Sequence, residues 1–150
     1  MNRDPRNPDY ERLVRESFEA QSVMRTFGAR LTRVAPGEVD IELPYRETLT
    51  QQHGFLHAGV ITAVIDSACG YAAFSLMPAG AGVLSVEFKV NLLAPAKGET
   101  LIARGRVLRA GRTITVCQGD GIMRTGSDET PVATMLATMM TVTGRPDVVR

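Results

Sequence analysis

Residues 58–77, AGVITAVIDSACGYAAFSLM, form the most apolar segment of the chain, and Asp66 is its only formal charge. The segment lacks the alternation of a half-buried strand, is far longer than a strand, and ends at Pro78 and a run of Gly and Ala. It therefore predicts a helix, and one that is apolar nearly all round must be surrounded by other structure. The same length would cross a bilayer. Against that, Asp66 would sit at the midplane at a cost of roughly 3 kcal/mol, small residues dominate over Leu, and no Lys or Arg flanks the segment closely. A buried core helix is expected, with no membrane partner. Asp66 then needs a reason. Between Glu47 and Glu87 there is no other acid, Lys or Arg, and only His53 and His57 could carry charge. Burying a lone carboxylate is costly unless it is paired, hydrogen-bonded or protonated.

The rest of the chain supplies what could surround such a helix. With 150 residues and 44% hydrophobic content, a single domain spanning 1–150 can bury its own core. Asn7 and Pro8 read as an N-cap and first helical position, with Asp9 and Glu11 in the first turn. Tyr10, Leu13, Val14, Ser17, Phe18 and Gln21 recur at helical spacing, so residues 1–26 are expected as a helical extension running to about Met24. Two extended runs around Pro36-Gly37, with Val39, Ile41 and Leu43 alternating against Asp40 and Glu42, predict a hairpin. Residues 46–57 read as a loop. Four strand signals follow the helix, separated by turns at Lys97-Gly98, at Gly111 and around Thr125–Asp128, and predict an antiparallel meander. In the first of them Val86, Phe88, Val90 and Leu92 alternate against Ser85, Glu87, Lys89 and Asn91. The polar tail 144–150 is expected to be flexible. The fold class is α+β, a sheet wrapped around a long central helix, which is the hotdog arrangement.

Composition removes several functions. The net charge is +1 and Lys and Arg are scattered, which leaves no electrostatic footprint for nucleic acid. Cys69 and Cys117 lie far apart in apolar segments with no metal-binding spacing, so they read as reduced core thiols of a cytoplasmic protein without metal. The N-terminus has no apolar stretch of signal-peptide length. No nucleophile elbow, HExxH, phosphate loop or dinucleotide fingerprint occurs.

The candidate chemistry gathers at the helix entrance. His57, Ala58 and Gly59 stand where the loop turns into the helix, and the first N–H groups of a helix can donate to an oxygen that is gaining charge. Gly59 allows close approach of the backbone, and Ala58 obstructs it little. Asp66 lies nine residues beyond His57, about 13 Å along the same helix at about 1.5 Å per residue. One carbonyl cannot be reached from both. If the two act on one substrate they come from different subunits, so catalysis predicts a homodimer. Alternatively, Asp66 is structural and bonded to a neighbour such as Thr62 or Tyr71, and His57 only caps the helix.

The stretch Gln51, Gly54, His57-Ala58-Gly59 and Asp66 resembles the pattern of the PaaI-like hotdog acyl-CoA thioesterases. That pattern is an Asn, a Gly three residues on, then His-Gly-Gly, and an Asp nine residues after the His. The run LSVEFKVNLLAPAKGE is similar to the family strand that carries a site Ser or Thr, here Ser85. The resemblance covers about Phe27 to Val142. Ala58 in place of the first Gly keeps its N–H but narrows the allowed backbone angles, and Gln51 in place of Asn keeps a carboxamide on a longer arm.

What the resemblance implies is hydrolysis of an acyl-CoA by a homo-oligomer, a dimer or a dimer of dimers, with no metal or prosthetic group. The N–H of Ala58 or Gly59 would polarise the thioester, and His57 would shape that hole or assist the leaving thiolate. Asp66 would activate water or attack directly, with Ser85 and Gln51 positioning the water. Gly54 belongs to the same pattern. Lys97, Arg109 and Arg112 lie at turns and are the candidates for the CoA phosphates. The rival expectations are a hotdog hydratase or dehydratase and a non-catalytic acyl-CoA-binding protein.

Overall fold

A computed structural model describes residues 4–148. Its elements are helix α1 (Tyr10–Ala20), helix α2 (Ser22–Phe27), strands β1 (Arg30–Ala35) and β2 (Glu38–Pro44), a short 3-10 turn (Glu47–Leu49), helix α3 (Ala58–Phe74), and strands β3 (Ala81–Leu92), β4 (Thr100–Ala110), β5 (Ile114–Thr125) and β6 (Asp128–Thr143). The strands form one six-stranded antiparallel sheet in the order β1-β2-β4-β5-β6-β3, and α3 packs across one face of it, against β2 to β6. This is the hotdog fold, in the α+β class.

The helix and sheet meet closely because the strands carry glycine where the helix passes. A Cβ on Gly105 would lie 2.3 Å from the carbonyl oxygen of Ala68, and one on Gly119 would lie 2.3 Å from Ile65 Cγ2. Buried Val39, Ile41, Leu43, Leu101, Met135 and Met139 fill the rest of the interface with α3. Cys69 and Cys117 are free and buried, the latter's Sγ lying 3.5 Å from the Cys69 carbonyl. Burial raises both thiols, Cys117 to about 12. The hairpin tip is tied to the end of α3 by the Gly37 N–H donating to Ser75 Oγ at 2.8 Å. No helix among the described residues is long and apolar enough to cross a membrane.

Three expectations need correction. The N-terminal helix starts later, with Asp9 as its N-cap, because the Asn7 side chain accepts from the Asp9 N–H at 3.1 Å and holds residues 7–9 in a turn. It also breaks at Gln21, whose backbone is extended (ψ 99°). There the Gln21 side chain accepts a bond from Ser67 of α3 at 3.2 Å, and Arg25 donates to the Glu19 carbonyl at 2.9 Å. The four later strands are not a simple meander. Only β4, β5 and β6 follow one another in the sheet, while β3 pairs with β6 and β2 takes the place beside β4. The turn at Lys97-Gly98 is therefore a crossing connection. The tail is described through Val148, which lies against Gly82.

Candidate active site

Asp66 is half-buried on α3, and Ser85 Oγ donates to its Oδ1 at 2.8 Å. Burial raises the carboxyl above its usual range, and the Ser85 bond pulls it partly back. Ser85 reaches Asp66 because β3 bulges between Ser85 and Glu87. The extra residue, Val86, shifts the side-chain phase, so that Ser85 shares the helix-facing side with Phe88, Val90 and Leu92, opposite Met139, Ala137, Met135 and Ala133. Strict alternation places Ser85 on the other face, and the bulge corrects that. Thr62 and Tyr71 do not bond to Asp66. Tyr71 instead has its hydroxyl 3.4 Å from Ser17 Oγ and its ring edge-on to Phe18.

At the entrance, His57 is the N-cap of α3, and its Nδ1 accepts from the Gly59 N–H at 2.9 Å. A backbone N–H can only donate, so Nδ1 is the unprotonated nitrogen. Gly59 is thereby engaged. Val60 and Ile61 donate to the His57 carbonyl, which leaves the Ala58 N–H as the donor of the first turn without an acceptor among the described residues. The loop before it is well tied. Gln51 Oε1 accepts from the His53 N–H, the Gln51 N–H donates to Phe55, and Tyr45 donates to the Gly54 carbonyl at 2.7 Å. Gly54 has φ 78°, a conformation that side chains resist. Leu56 donates to the Ala96 carbonyl at 2.8 Å, which fixes the entrance to the β3–β4 connection.

These groups form two separate places in one protomer. Asp66 and Ser85 line a cavity of about 340 Å³ together with Ser17, Gln21 and Tyr71. Gln51 and Ala58 line another of about 490 Å³, walled by Phe55, Leu92 and Pro95. No residue lines both. The basic candidates are also divided. Lys97 follows Ala96, a wall residue of the entrance cavity, whereas Arg109 lies at the opposite end of β4 and Arg112 in the turn beyond it, on the order of 30 Å away at about 3.3 Å per strand residue. They do not make one phosphate site within a protomer.

Sequence reading missed Ser17 and Gln21 as residues of the Asp66 cavity. The available signal was two polar side chains four residues apart, Ser17 on the stripe of α1 that otherwise buries Val14 and Phe18 and Gln21 just past the end of that helix.

The comparisons with known proteins bear on the fold and the family. A thioesterase family protein from Silicibacter pomeroyi of known structure is 52% identical, with a TM-score of 0.88, over 90% of this chain and 99% of that one. Human acyl-coenzyme A thioesterase 13 is 29% identical over 113 residues, 71% of this chain and 80% of the human one. The E. coli PaaI protein from the phenylacetic acid degradation operon shares the fold, with a TM-score of 0.82 at 17% identity, over 91% of this chain and 95% of that one. The model of the thioesterase superfamily matches residues 53–129, a span that holds the end of the entrance loop from His53, all of α3 and the bulged strand with Ser85, and the chain belongs to that superfamily.

Proposed function

We propose that the protein hydrolyses an acyl-CoA thioester to a free acid and CoA. The observation that carries this reading is the half-buried Asp66 carboxyl, raised by burial and held by Ser85 at the wall of a cavity. The Ala58 N–H receives the carbonyl oxygen as it gains charge. Asp66 takes the proton of an attacking water, or attacks the carbonyl carbon itself to form an anhydride that water then opens. Either way the carbon–sulfur bond breaks and the thiolate leaves to take up a proton. His57 keeps the entrance in shape through its bond to Gly59, and Gln51 and Ser85 orient water. Gly54 lets the entrance loop turn. Lys97 meets the CoA phosphates beside the entrance, and Arg109 and Arg112 contribute only from a second chain. The reaction so written needs no metal or prosthetic group, and buried free thiols suit the reducing cytoplasm.

The working unit in this reading is a homodimer, because Asp66 and the Ala58 N–H are held apart in one protomer. Two surfaces support a second copy. Gly59, Ala63, Asp66 and Gly70 run along one side of α3 at helical spacing and are not fully buried. The outer edge of β3 is open, with Val86 53% and Leu92 54% exposed.

Release of free thiol from a panel of acyl-CoAs tests the activity and separates it from hydration or simple binding. Asp66→Asn should abolish that release. It should also melt no lower than wild type at neutral pH, since burial makes the ionised carboxylate a cost to folding. A folded Asn variant that keeps most of its kcat would remove Asp66 from the chemistry.

A further inference from the structure

The cavity at Asp66 continues past it. A second cavity of about 300 Å³ adjoins along the groove between α1 and β3, and the two share Ser17, Ala20 and Val83. The chamber beside Asp66 is edged by the polar groups of Ser17, Gln21, Ser67 and Tyr71. The farther one is walled by Leu13, Phe74, Ala81 and Val148, with the exposed Glu16 at its rim. Gly82 makes room for that far wall, since a Cβ there would lie 2.8 Å from Val148 Cγ1. Ala20 from α1 and Val83 from β3 therefore stand where the chamber beside Asp66 meets a second one whose inner wall is built from apolar side chains and whose rim is polar.

We propose that this groove is the acyl channel and that Ala20 and Val83 form a chain-length gate within it. The inference rests on the reading of the protein as an acyl-CoA hydrolase. A short acyl group fills the chamber at Asp66. A longer one threads between Ala20 and Val83 and buries its tail against Leu13, Phe74 and Val148, where each methylene taken from water strengthens binding about fourfold. The small side chain of Ala20 keeps the passage open. The N-terminal helix and the chain end, which lie outside the catalytic constellation, thus set which thioesters are accepted.

The test compares kcat/KM for butyryl-CoA and octanoyl-CoA in wild type, Ala20→Phe and Val83→Phe. Wild type should hydrolyse both. Each variant should lower the octanoyl-to-butyryl ratio at least tenfold, mainly through KM, while butyryl turnover reports an intact fold. The two substitutions narrow the passage from different elements, so either one that folds decides the matter. An unchanged ratio, wild type that rejects octanoyl-CoA, or a folded variant that loses both substrates alike would overturn the gate. If wild type releases no thiol from any acyl-CoA, the hydrolase reading falls and the gate falls with it, whereas release with an unchanged ratio removes the gate alone.

Discussion

The Asp66 carboxyl is subject to two opposed influences, burial that favours its protonated form and the Ser85 hydroxyl that favours the charged one. Burial is the larger, so the group titrates above an ordinary aspartate. In the proposed reaction it acts as base or nucleophile only in the ionised form, which would place the acid limb of the pH–rate profile at its pKa. Replacing Ser85 with Ala removes the only influence that lowers that pKa. The acid limb of kcat/KM should therefore move to higher pH in Ser85→Ala, with the plateau also reduced if Ser85 orients water as proposed. A profile that does not move would mean that Ser85 and Asp66 are not coupled in the working enzyme. Asp66 was legible in the sequence as a candidate, because a single charge in so apolar a run is expensive enough to call for a reason. The position of Ser85 was not legible from alternation. One bulged residue reverses every following side chain, and nothing in the local sequence marks Val86 as that residue.

The central helix is held against the sheet by absent side chains as much as by present ones. At Gly105 an added methyl would meet the Ala68 carbonyl at 2.3 Å and the Cys69 N–H nitrogen at 2.7 Å. Both are backbone atoms of α3, which cannot rotate away as a side-chain tip can. Gly105→Ala should push the helix off β4 and cost about 3 kcal/mol, at the upper end for an overpacked core. Urea unfolding would measure this, and a loss below about 0.5 kcal/mol, the scale of a neutral surface change, would show that the helix and sheet adjust freely. Such close approach was invisible in the sequence, where the glycines of β4 and β5 look like strand weaknesses. The elements themselves were legible because their periods differ. The alternation of Val39, Ile41 and Leu43 gave β2, and the unbroken apolar run gave α3. Strand order was not legible, because adjacency in sequence favours a hairpin across Lys97-Gly98, whereas the anchoring of Ala96 to Leu56 carries that connection past the helix entrance. The break at Gln21 likewise depends on Ser67, a partner 46 residues away.

At the scale of the molecule, the two halves of the site can be tested as parts of different chains. Asp66→Asn disables one half. Ala58→Pro disables the other by removing the one entrance N–H that is not already engaged, and the structure favours its folding. Ala58 is the first residue of α3, where proline is well tolerated, and proline restricts the preceding residue to extended angles that His57 already has, at φ −62° and ψ 136°. Each variant alone should be folded, dimeric and inactive. When the two are unfolded together and refolded, random pairing makes about half of the dimers mixed. A mixed dimer then holds one site with both lesions and one with neither. Activity should return to roughly a quarter of wild type, since half of the sites in half of the dimers are intact. Sedimentation must show dimers throughout, and an active monomer of wild type would end the shared-site reading directly. Well-folded mixed dimers without activity would end it too, and would place Asp66 either in its own chain's pocket or outside the chemistry. Recovery to about a quarter would show that the roughly 13 Å between the helix entrance and Asp66 is bridged by pairing two chains, the entrance of one serving the carboxylate of the other.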